Sequence, residues 1–160
     1  MQTSYTQYMT PGIAGNKYDC SYSRVDSFAC EGGSVAPGMG VILGTDPEKQ
    51  VKLAAATTSV VAGVALLQAK EQAGDGTVIY ADKDTVPVLN KGRVWVPVIE
   101  AVTAGAQAYL VFSGANKGQW AAAAGAGPIA SAITGAKFVT STTAAGLAVV
   151  ELNSEEEFST

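Results

Sequence analysis

Short apolar runs alternate along this chain with clusters of turn-forming residues. Four of those clusters have the chemistry of turns: Pro37-Gly38, Thr45-Asp46-Pro47, Asn90-Lys91-Gly92, and the polar stretch 113–118. The apolar runs between them predict strands at 24–29, 40–43, 51–53, 60–68, 77–80, 108–112, 119–122, within 129–139, and at 146–152. Residues 85–89 and 93–99 flank Asn90-Lys91-Gly92, a three-residue connection ending in glycine, which predicts a bulged hairpin. In it Val94, Val96 and Val98 share one face, and Arg93, Trp95 and Pro97 the other. Pro87 and Pro97 cannot donate to a ladder, so each is expected at an edge or with its nitrogen outside the pairing. The alanine runs 54–56 and 121–124 are followed at once by Thr, Ser, Gly or Pro. Helix nucleation is not recovered in so few residues, and both read as loops. Strands at this spacing predict an all-β fold, a compact antiparallel sandwich or barrel.

An internal echo accompanies the pattern. Residues 35–66 laid over 102–133, a shift equal to the separation of Val35 and Val102, match Val35 with Val102, Gly38 with Gly105 and Leu43 with Leu110, together with four alanines. Each copy runs turn, strand, polar turn, strand, alanine loop, strand.

The first residues follow a different rule. Thr, Gln and Tyr precede Pro11-Gly12 with neither the cationic start nor the apolar run of a signal peptide. They predict an extended arm that is held by a partner. The chain therefore divides into an arm (1–23), a β domain (24–153) and an acidic tail (154–160) containing Glu155, Glu156 and Glu157.

Composition narrows the function. Hydrophobic residues make up 48% and charged residues 15%, with 18 glycines, as expected of a surface partly covered by neighbours or of a glycine-rich β protein. A formal charge of −4 offers no basic footprint for nucleic acid. The longest apolar run, 60–67, is too short for a membrane-spanning helix. The chain contains no histidine, which removes the commonest general base and metal ligand. Gly38-Met39-Gly40 and Gly125-Ala126-Gly127 do not continue into a phosphate-binding turn. Asp75, Asp82 and Asp84 lack the spacing of a calcium loop and read as turn residues. Cys20 and Cys30 are expected as free thiols, with a bridge across a short hairpin as the alternative; Asp19 beside Cys20 supplies an acid where a nucleophile needs a base. No catalytic, metal or cofactor site is expected, and the chain reads as a non-enzyme.

The opening 3–15, the segment 24–28, Val35-Ala36-Pro37-Gly38-Met39-Gly40-Val41 and the stretch 44–52 resemble the structural cement, or head decoration, proteins of tailed bacteriophages. The likeness covers about the first third of the chain specifically and the rest in pattern. It implies a β protein on the outer surface of the virion, made in the host cytoplasm, that binds the major capsid protein and locks neighbouring subunits. It also implies a homo-oligomer, a trimer in preference to a dimer, without nucleic-acid or membrane partners. Tyr5, Tyr8, Met9, Pro11 and Ile13 of the arm are the expected capsid contacts. The competing reading is a carbohydrate- or receptor-binding fibre module with Tyr18, Tyr22, Trp95 or Trp120 as stacking platforms.

Overall fold

The computed structural model describes residues 12–55, 60–68, 77–125 and 130–153. Nine strands form among them: β1 (Arg24–Cys30), β2 (Gly40–Leu43), β3 (Gln50–Leu53), β4 (Val61–Ala65), β5 (Thr85–Val98), β6 (Gln107–Val111), β7 (Trp120–Ala121), β8 (Ala130–Phe138) and β9 (Gly146–Leu152). No helix occurs among the described residues, and the fold is all-β. Ala54 and Ala55 lie in irregular chain, and 122–125 form bends and a turn after Ala121 ends β7.

The sheet runs β1-β3-β2-β4-β5-β7-β6-β8-β9 and closes twice, through β1–β5 and β5–β9. The result is two closed circuits of five strands that share β5. Closure covers most of the sheet edge, the usual hazard of a β protein, and leaves edge only beside the short parallel seams. Pairing is antiparallel except at one short parallel seam in each circuit, β1–β3 and β5–β7.

The sharing of β5 corrects the predicted hairpin. Residues 85–98 form one 14-residue strand, and Asn90-Lys91-Gly92 is an irregularity within it. Arg24 pairs with Lys91 but Val25 with Leu89, which leaves Asn90 bulged, and Gly92 takes φ 124. Two better partners explain the difference. Residues 85–91 pair with β1, and 92–98 pair along their whole length with β9. The bulge has a packing role: Leu89 and Val94 belong to the same apolar cluster although their spacing would place them on opposite faces of a regular strand. A second correction concerns 77–80, predicted as a strand. Only Tyr80 pairs there, in an isolated bridge to Val35.

The two circuits repeat one topology. The pairings β1–β5, β1–β3, β2–β3, β2–β4 and β4–β5 recur, with the same orientations, as β5–β9, β5–β7, β6–β7, β6–β8 and β8–β9. The bridge of Val35 to Tyr80 recurs as Val102 to Thr142. Gly38 and Gly105 both adopt left-handed backbone, at φ 83 and 84. The sequence echo is thus structural from Val35 to the strand after Gly38. Beyond that the constant shift fails: Ala65 corresponds in pairing to Phe138 rather than Ala132.

The interiors correspond as well. Cys30, Val35, Val41, Val51, Ala65, Tyr80, Val86 and Val88 fill the first circuit. Their counterparts by pairing, Val98, Val102, Ala108, Trp120, Phe138, Thr142, Ala148 and Val150, surround the second, and all but Thr142 belong to its core. The volumes are redistributed. Tyr80 supplies bulk to the first interior, and Trp120 and Phe138 supply it to the second, so each fills its space in a different way. Ile42, Val64, Leu66 and Leu89 belong to the same cluster as the second interior and join the circuits.

Tyr80 also answers for a proline. Leu66 and Pro87 stand opposite each other at the end of the β4–β5 ladder, where Leu66 N donates to Pro87 O at 2.8 Å. Pro87 has no N–H to return, and the Tyr80 hydroxyl donates to Leu66 O instead, at 2.7 Å. The Tyr80 hydroxyl oxygen in turn accepts from Gln68 N at 3.1 Å. Burial raises the Tyr80 phenol above its ordinary pKa.

Candidate docking surface

Residues 12–18 are laid along the second half of β5. Gly15 N donates to Trp95 O at 2.8 Å, Trp95 N to Asn16 O at 3.0 Å, and Tyr18 N to Arg93 O at 3.0 Å. Lys17 bridges Val94 in antiparallel sense. The segment fills the space beside β5 that β7 leaves open, because β7 meets β5 only at Val98. Two glycines allow this. A side chain on Gly12 would overlap the Trp95 ring, and Gly15, at φ 82, would meet Pro37 Cβ at 2.5 Å. Leu67 N donates to Gly15 O at 2.9 Å, which ties the segment to the first circuit as well.

Polar contacts hold the next turn. Arg93 reaches Asp19 at 3.1 Å and Glu151 at 3.5 Å. Those two carboxylates, Glu151 first, shift the guanidinium further toward its charged form. Asp19 accepts from both the hydroxyl and the amide of Ser21, the chief reasons its carboxyl is held below the usual range, and Arg93 adds to them. Lys91 Nζ stands over the Tyr22 ring, 5.4 Å from its centre.

Of the expected arm contacts, Ile13 is described and is 58% exposed. Tyr5, Tyr8, Met9 and Pro11 lie outside the described residues. The aromatic platforms do not form one surface. Trp120 is fully buried, with its indole N–H directed at Gly38 O, 3.3 Å away. Trp95 is half-buried under residues 12–18, edge-on to Tyr18. Tyr22 remains the most exposed aromatic among the described residues. Exposed apolar side chains are otherwise scattered: Val25 on β1, Val60 before β4, and Ile79.

Asp82, Asp84 and Glu31 accept main-chain hydrogen bonds that hold loops. Asp84 accepts from Ala81 N at 2.6 Å, closing its own turn, and Asp82 accepts from Gly32 N at 2.9 Å, tying that turn to the one after β1; Asp75 lies outside the described residues. Glu31 accepts both the amide and the hydroxyl of Thr45 at 2.6 Å, which lowers its pKa, with Lys52 adding to the effect. Cys20 is exposed and Cys30 buried, both as free thiols, and desolvation pushes the Cys30 thiol up.

What sequence reasoning missed is the main-chain edge of β1. The same antiparallel alternation that directs Asp26, Phe28 and Cys30 toward β5 directs Val25, Ser27 and Ala29 away from it. The bond from Cys30 N to Asp84 O marks the first set, and that from Ala29 N to Lys49 O the second. Ala29 and Cys30 meet β3, whereas Val25 and Ser27 have no main-chain partner on that side among the described residues.

A search of the curated proteins found no match. Among solved structures, a chain of the capsid of Myoviridae Phage XM1 superposes with a TM-score of 0.75 at 21% identity, over 96% of this chain and 97% of that one. A family model described as structural cement protein (E217 gp24/Pam3 gp6) matches residues 1–153. With the double closed circuit, the docked N-terminal segment and a match over nearly its full length, the chain belongs to the structural cement protein family.

Proposed function

We propose that this chain decorates the exterior of the mature phage head and locks adjacent major capsid protein subunits together. The observation that carries the reading is the family match over residues 1–153, which takes in the N-terminal segment as well as the β domain. The chemistry suits the task. A cap across subunit boundaries needs many moderate contacts repeated by symmetry rather than one deep pocket. A chain with 15% charged residues and scattered exposed apolar groups supplies them. Tyr5, Tyr8, Met9, Pro11 and Ile13 are the proposed shell contacts, reached by the chain that precedes the docked 15–18 stretch. Closed circuits held by internal pairing provide a rigid mount, and the role is structural, without substrate turnover.

Co-sedimentation with undecorated shells tests this. The full chain is expected to bind expanded shells and to raise their genome-release temperature in step with occupancy. The double substitution Tyr5→Ala, Tyr8→Ala is expected to weaken binding while the melting of the free protein stays unchanged. Shells that melt identically with and without the protein would overturn the locking role and favour a receptor-binding appendage.

A further inference from the structure

We propose that the outer edge of β1 is a strand-acceptor site, and that its occupant is the N-terminal segment of a second copy of this chain, residues 3–9. The argument begins with the internal repeat. Pairing registers make Val25 of β1 the counterpart of Arg93, and Ser27 the counterpart of Trp95. In the second circuit the outward carbonyl of Arg93 and both the carbonyl and the N–H of Trp95 are taken by residues 15–18 of the chain's own arm, through the three hydrogen bonds given above. In the first circuit the same groups of Val25 and Ser27 meet nothing among the described residues. The seams are built alike: β3 touches β1 only at Ala29 and Cys30, as β7 touches β5 only at Val98. Among the described residues, one fold repeated twice thus holds two strand-sized berths, one filled and one open.

Side-chain exposure agrees. Arg24, Val25 and Ser27 are exposed, with Val25 at 41%, whereas their counterparts Gly92, Arg93 and Trp95 are buried or half-buried. An edge carrying unused N–H and C=O groups beside an exposed valine is the kind of surface that takes an added strand.

The occupant follows from the chain that remains. Gly12 lies over Trp95, at the berth already filled, so residues 1–11 set out from the second circuit and not from the first. Extended at about 3.3 Å per residue they reach roughly 35 Å, far enough to leave one molecule for the next. The segment Thr3-Ser4-Tyr5-Thr6-Gln7-Tyr8-Met9 carries no charge and is rich in Thr and Tyr, which favour strands. An added strand lies in the plane of its acceptor sheet, so Tyr5 and Met9 would project to one face and Tyr8 to the other, with none of these side chains used by the main-chain pairing itself. Donor and acceptor are different surfaces. The contact closes either by reciprocal exchange in a dimer or head-to-tail in a ring such as a trimer. The inference goes beyond the proposed capsid role and is tested without any shell, so failure of one leaves the other standing.

Full-length protein is followed by sedimentation velocity and amide hydrogen exchange over a concentration series. Association is expected, with protection of the Val25 and Ser27 amides rising about tenfold as copies associate, and a synthetic peptide of residues 1–11 is expected to dissociate the assembly and protect the same amides. Ser27→Pro removes an N–H that β5 does not use, and is expected to weaken association about tenfold while leaving thermal melting close to that of the parent. A species that stays monomeric throughout the millimolar range would overturn the proposal, as would protection at Val25 and Ser27 that is independent of concentration. An association indifferent to both the peptide and Ser27→Pro would do the same. The peptide arm remains decisive if the proline variant fails to fold.

Discussion

Replacing Tyr80 by Phe removes one oxygen from a buried site and tests the claim that this hydroxyl stands in for the missing proline donor. Leu66 O receives its hydrogen bond from Tyr80 at 2.7 Å, and its strand partner Pro87 has no N–H to offer. Leu66 is 8% exposed and Tyr80 1%, so water does not readily take over. A buried carbonyl left without a donor costs about 1–3 kcal/mol, whereas Gln68 N, on an exposed residue, recovers a water. The expected loss is about 2 kcal/mol, or about 4–8 °C in melting temperature for a chain of this size. Urea unfolding of four proteins measures it: the parent, Tyr80→Phe, Pro87→Ala, and the double variant. Pro87→Ala restores the N–H that pairs with Leu66 O, so the cost of Tyr80→Phe should fall by about 1 kcal/mol in that background. Equal costs in both backgrounds, or a single-variant cost under about 0.5 kcal/mol, would refute the substitution of hydroxyl for amide.

Three other outcomes are expected. Gly63→Ala should destabilise by more than about 3 kcal/mol or abolish soluble expression, since Gly63 sits at φ 150 and an added Cβ would overlap the Leu89 carbonyl oxygen; urea unfolding of the soluble fraction checks it. A thiol reagent should label Cys20 at once and Cys30 only on unfolding, because Cys30 is buried and its thiol pKa raised; mass spectrometry of the labelled peptides reads both rates. Glu31, whose folded pKa lies below its ordinary 4.5, contributes stability that is present above that value and lost as pH falls through the folded pKa; Glu31→Gln should flatten the acid limb of a stability–pH curve and leave the limb near neutrality parallel to the parent's.

Local chemistry was legible wherever a turn or a short strand stands alone. β2 and β9 fall on the residues predicted for them, and Pro37-Gly38, 45–47 and 113–118 turn as expected, because proline, aspartate and glycine act on their own backbone whatever surrounds them. The face of Val94, Val96 and Val98 was legible for the same reason, since side-chain alternation is a property of a single strand. Asn90-Lys91-Gly92 marks the limit. Its residues permit a hairpin loop and a bulge equally, and the choice fell to β1 and β9, which lie far away in sequence and offer β5 longer ladders than its two halves offer each other.

The surface shows the same division. The amino-acid sequence alone determined an all-β chain without histidine or a basic patch, with an uncharged N-terminal segment and a partial internal echo, since composition and short-range periodicity depend on no partner strand. The tertiary structure decided that the echo is two closed circuits sharing one strand, because only pairing can show that Ala65 and Phe138 are counterparts. It decided, too, that Trp120 is core and Trp95 a covered ring, two fates that identical residue types cannot announce. And it alone separates the outward edge of β1 from that of β5: both strands are readable from their residues, but which main-chain groups find a partner depends on what the rest of the chain lays beside them.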